Sequence, residues 1–106
     1  MNLQQLREKL KRGFYVDNLY EMASLCKSLA LGTNNPVPFF VMERIFLDIA
    51  GRWEEIPLTV EKARMVELNM TEPLEDIVEG IEEFASSEEI LNLLNRLIFT
   101  YLRSPL

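Results

Sequence analysis

VPFFVMERIFLDIAGRW, Val37 to Trp53, decides the fold. Only Glu43, Arg44, Asp48 and Arg52 are charged in these seventeen residues. Phe39, Met42, Phe46, Ile49 and Trp53 recur at steps of three and four, so one face of a helix is apolar. Phe40, Leu47 and Ala50 widen that face on one side, and Val41 and Ile45 on the other. Arg44, Asp48, Arg52 and Glu55 fall on the opposite edge at four-residue spacing. A membrane span needs about 20 apolar residues with few charges. This run is shorter and its charges share one side, so the pattern predicts a central helix enclosed by others. TNNP precedes it as a turn signal, and Pro38 presets its first turn.

The flanking sequence predicts helices throughout. Asn2–Arg12 carries a thin stripe of Leu3, Leu6 and Leu10, and Gly13 is its stop. Phe14, Tyr15 and Val16 then cover the core from a connection. Asp17 or Asn18 is the expected cap of a second helix running to about Leu31, with Leu19, Met22, Ala23, Cys26, Leu29 and Ala30 facing inward. Gly32 ends it. Pro57 closes the central helix, and Thr59 caps a short helix over 60–69. Thr71 and Pro73 open a further helix with Leu74, Ile77, Val78, Ile81, Phe84 and Ala85 as its core face. Ser86 and Glu89 stand at capping-box spacing before the last helix, about 88–103. There Leu91, Leu94, Ile98 and Leu102, with Ile90, Leu97 and Tyr101, form a wide apolar face. No segment alternates as a strand would. The expectation is an all-α fold, a single domain over 1–106. It is one compact bundle of five to six helices around the central apolar helix (about 37–54) and the C-terminal helix.

Composition narrows function. The net charge is −6, which argues against nucleic-acid binding and against anionic membranes. The single cysteine, Cys26, allows no intramolecular disulfide, and the amino terminus has no apolar block of signal-peptide length. A cytoplasmic location is therefore expected. Such an acidic, histidine-free composition fits many small bacterial proteins, which is a remark on composition alone.

The absence of histidine removes the commonest metal ligand and general base. With it go the Ser-His-Asp and Cys-His nucleophile systems. No phosphate-binding glycine motif is present. No catalytic, cofactor-binding or metal residue is assigned, and an enzyme is not expected.

Two surfaces remain as candidates. From Glu67 to Glu89 there are nine carboxylates and no Lys or Arg. Glu75, Asp76, Glu79, Glu82 and Glu83 lie opposite the core stripe of their helix. They form an acidic face that keeps the chain soluble, docks on a basic partner or, least favoured, holds a divalent metal. A hydrolase of the EExxE type is disfavoured because Glu54 and Glu55 are followed by Ile56, Pro57 and Leu58. Charge is also segregated. Residues through Leu31 carry +2 and the rest −8, so the basic first helix can lie against the acidic one, within one chain or between copies.

Phe99 stands out on the last helix, among Asn92, Asn95, Arg96 and Arg103 on its polar side. An aromatic rimmed by arginines has the composition of an interface anchor. The alternative is a Phe left exposed or covered by Ser104, Pro105 and Leu106. The favoured function is thus a non-enzymatic helical protein acting through protein–protein contacts, as a homo-oligomer. An acidic mimic or inhibitor on a basic partner is the alternative, and a carboxylate metal-dependent hydrolase the second.

Overall fold

In the computed structural model, which describes residues 2–56 and 58–104, the chain forms five α-helices. They are α1 (Leu3–Lys11), α2 (Val16–Leu31), α3 (Val37–Glu55), α4 (Val60–Glu82) and α5 (Ser87–Arg103). No strand occurs among the described residues. Pro57, placed as the stop of α3, and Pro105–Leu106, placed as a tail over Phe99, lie outside the described residues.

Short loops make α2 and α3 one packed pair and α4 and α5 another. Helix α1 lies against α2 and α4, and α3 lies against α5. One core joins residues from all five helices. Met42, Phe46, Ile49 and Ala50 of α3 are fully enclosed in it, beside Leu6, Leu19, Met22, Met70, Leu74 and Leu97. The rings of Phe14 and Phe46 meet edge to face, 6.3 Å between centres. Phe14 thus covers the core from the α1–α2 connection, while Tyr15 stays exposed. The polar edge of α3 is outermost, and Arg52 Nε donates to Asp48 Oδ2 at 3.0 Å.

Four expectations are corrected. The helices predicted over 60–69 and 73–85 are one, α4, with Pro73 inside it. A proline within a helix costs about 3 kcal/mol. Here it is buried in a continuous stripe from Val66 and Met70 to Leu74, Ile77 and Val78, and the core contacts on both sides hold the helix together. Thr71 Oγ1 donates to the Glu67 carbonyl at 2.6 Å, a local bond one turn back beside the proline.

Second, neither Asp17 nor Asn18 caps α2. The N-cap is Tyr15, without a side-chain bond. Asn18 is fully buried instead, and its Nδ2 donates to the carbonyls of Lys9 at 2.8 Å and Gly13 at 2.7 Å. It closes the end of α1. Gly13 is required there by its φ of +95°, and an added Cβ would meet Glu67 Oε1 at 3.0 Å.

Third, Phe84 is not in the core. Helix α4 ends at Glu82, and Phe84 follows at φ +57° and 93% exposed. The amides of Phe84 and Ala85 return to the carbonyls of Ile81 at 3.2 Å and Gly80 at 2.9 Å. This is the Schellman turn, with a phenylalanine in the position that glycine usually fills.

Fourth, α5 turns only part of its wide apolar face inward. Ile90, Leu94 and Leu97 are buried, whereas Leu91, Ile98 and Leu102 are exposed. The two helices approach closely at Gly80, where a Cβ would press on Leu93 Cδ1 at 3.1 Å and Ile90 Cδ1 at 3.3 Å. The remaining caps form as the sequence predicts. Thr59 accepts from the Lys62 amide and Ser86 from the Glu89 amide, both at 3.2 Å.

Candidate functional site

Helices α3 and α5 run in the same direction. Their amino ends lie together, with Asn35, Val37 and Pro38 beside Ser87, Ile90 and Leu91, and farther along Phe40, Val41 and Ile45 lie beside Ile98, Tyr101 and Leu102. Between them lies an open groove walled by Val37, Phe40, Val41, Ile98, Tyr101 and Leu102, with Ile45 at its floor. Arg44 lends only its aliphatic stem to the wall. Val37, Phe40, Ile98 and Leu102 are exposed, Leu102 by 73%. Leu91 continues the strip toward the amino end of α5. Scattered exposed apolar residues are ordinary, and contiguity is what sets this strip apart from them. The groove arises because two apolar faces broader than their mutual contact meet side by side. The sequence places Phe40, Val41, Ile45, Leu91, Ile98, Tyr101 and Leu102 on the apolar faces of their helices, assigns Val37 to neither face, and puts Arg44 on the polar edge. The excess breadth of the α5 face was the signal that could have shown the groove.

The residues singled out around Phe99 are not one cluster in their bonding. Phe99 is 57% exposed, and Arg103 stacks over its ring with the guanidinium carbon 4.2 Å from the ring centre. Arg96 turns the other way. Its Nη2 donates to Glu72 Oε1 at 3.0 Å and its Nη1 to Asp76 Oδ2, both on α4. The hydrogen bond to Glu72 is the main reason that its pKa is raised further. Arg96 therefore fastens α5 to α4 and is not a rim to Phe99. Asn92 and Asn95 are exposed, and Asn95 stands between Leu91 and Ile98 beside the groove.

The acidic face is likewise divided. Glu82 Oε2 accepts from Arg7 Nη2 at 3.0 Å, which realises the contact between basic and acidic helices within one chain. Asp76 is held by Arg96. Glu75, Glu79 and Glu83 are exposed and make no ion pair among the described residues. No group of three or more Asp, Glu, Cys or His among the described residues is placed to hold a metal ion. Cys26 is buried in the core, and desolvation pushes its thiol up to about 12. Among the described residues no helix is long and apolar enough to cross a membrane.

No family model, curated protein or solved structure matches this chain.

Proposed function

We propose that this protein is a non-enzymatic helical module that acts through protein–protein contact, with the α3–α5 groove as its contact surface. The observation that carries the proposal is the continuity of Val37, Phe40, Ile98 and Leu102 as exposed apolar walls of one groove. Covering such a strip gains about 25 cal/mol for each Å² of apolar surface removed from water. Phe99 under Arg103 lies next to it on α5 and has the composition of an interface edge. A cytoplasmic setting goes with this reading, since the lone buried thiol needs no oxidising compartment.

The acidic face gives less support to a mimic of nucleic acid. Two of its five carboxylates are already paired within the chain, and Glu75, Glu79 and Glu83 alone make a sparse row. A hydrolase would need carboxylates that converge, and these diverge along the outside of α4.

Photo-crosslinking tests the proposal. A photoreactive residue at Leu102 should yield one discrete protein adduct in the native cell, and the same residue at the exposed Glu61 should not. Ile98→Glu should abolish the adduct. No discrete adduct at Leu102 would overturn the proposal.

A further inference from the structure

Resting on that reading, we infer that the groove's occupant is a second copy of this chain, with the two α5 helices packed antiparallel about a two-fold axis.

Helix α5 carries two apolar seams. The inner one, Ile90, Leu94, Leu97 and Tyr101, advances by steps of four, three and four and is filled by the molecule's own core. The outer one, Leu91, Asn95, Ile98 and Leu102, advances by the same steps and faces solvent. Alternating steps of three and four are the spacing by which one helix receives the side chains of another. The outer seam is therefore shaped for a helix.

The step pattern four, three, four reads the same in both directions. An isologous pair requires such self-complementarity, because each patch must meet its own image. In the antiparallel arrangement Leu91 comes level with Leu102 of the second copy, and Asn95 with Ile98 of the second copy. Phe40 and Val37 flank the seam from α3 and widen the contact on both sides of the axis.

Charge selects this direction. Glu88 stands at the amino end of the seam, and Arg44 and Arg103 at the other end. None of the three makes an ion pair among the described residues. Antiparallel packing sets Glu88 beside Arg44 and Arg103 of the second copy, twice per dimer. Parallel packing would set acid against acid and base against base. Asn95 is the one polar member of the seam. It weakens the pairing and fixes its register, as a polar residue within a coiled-coil seam does.

Sedimentation velocity of the full chain over a concentration series is the test. Wild type should form a dimer, and Ile98→Glu should be a monomer with the same helical circular dichroism. Glu88→Arg and Arg44→Glu should each weaken the dimer several-fold, and the two together should restore most of what either loses. A wild type that stays monomeric, a dimer that survives Ile98→Glu, or a double variant no better than the worse single one would overturn the inference. The two readings separate through the Leu102 crosslink. A monomeric chain whose Leu102 adduct contains a different protein loses self-pairing and keeps protein binding. An adduct of two copies of the chain supports both, and an adduct within a single molecule, or none, overturns both.

Discussion

The side-chain amide of Asn18 donates to the main-chain carbonyl of Gly13 across 2.7 Å, inside the protein. The same nitrogen donates to the Lys9 carbonyl, which also accepts from the Arg12 amide, so one side chain on α2 ties down two carbonyls at the end of α1 and is the side-chain partner of Gly13. Buried polar groups stripped of a partner cost about 1–3 kcal/mol. Asn18→Ala should therefore lower stability by about 2 kcal/mol, read as a lower urea midpoint at unchanged slope. A midpoint within error of wild type would refute this account of how α1 is fastened.

Cys26 offers a chemical readout of the core. Its folded pKa of about 12 lies above that of an unfolded thiol, about 8.5. The unfolded state therefore loses its proton first as pH rises, and the thiol's contribution to stability is full below about 8.5 and lost between there and about 12. At pH 8 the native thiol should resist alkylation, and urea should expose it. Labelling of the native protein at the rate of a free thiol would contradict the packing of α2 on α3.

Phe84 occupies a left-handed backbone position with almost no packing in return. That conformation costs a non-glycine residue about 1–2 kcal/mol. Phe84→Gly removes the strain but adds freedom to the unfolded chain, so a net gain of about 1 kcal/mol is expected. Thermal unfolding of the two proteins measures it, and a loss of stability would mean that the exposed ring is held by contacts beyond those seen.

Asn95 gives the association a tunable centre. If it lies in the seam between two copies, Asn95→Leu should tighten the dimer by at least about tenfold, the equivalent of about 1.4 kcal/mol. It should also relax the register, seen as new pairs in cysteine crosslinking along α5. An unchanged dissociation constant would place Asn95 outside the contact.

The sequence made some of this legible and hid the rest for physical reasons. Periodicity found α3 because one narrow polar edge leaves only one way to turn the helix, and Phe39, Met42, Phe46 and Ile49 are indeed enclosed. The caps Thr59 and Ser86 were readable because each acts within four residues of itself. Pro73 misled because a proline breaks a helix on local grounds, while burial of Met70 and Leu74 on either side overrides it. Asn18 was misjudged for a related reason. Its local preference is for a cap, but its partners sit on the preceding helix. The face of α5 exceeds what one bundle can cover, and no count of apolar residues shows which part is left outside. The groove became visible only when α3 was set beside it. The arginine roles were equally hidden, since Arg96 and Arg103 share a helix side but reach in different directions.

Pro73 has a further effect on α4. Lacking an amide hydrogen, it leaves the Asn69 carbonyl, on an exposed residue, to water. On the amino side only Val66 and Met70 anchor the helix, while beyond the proline Leu74, Ile77 and Val78 press against the core. The long helix thus has two parts of unequal burial on either side of the proline. In heavy water, amides of 63–69 should take up deuterium well before those of 77–82, with the step at the proline. Uniform uptake along the whole length would show instead that α4 opens as a single rod.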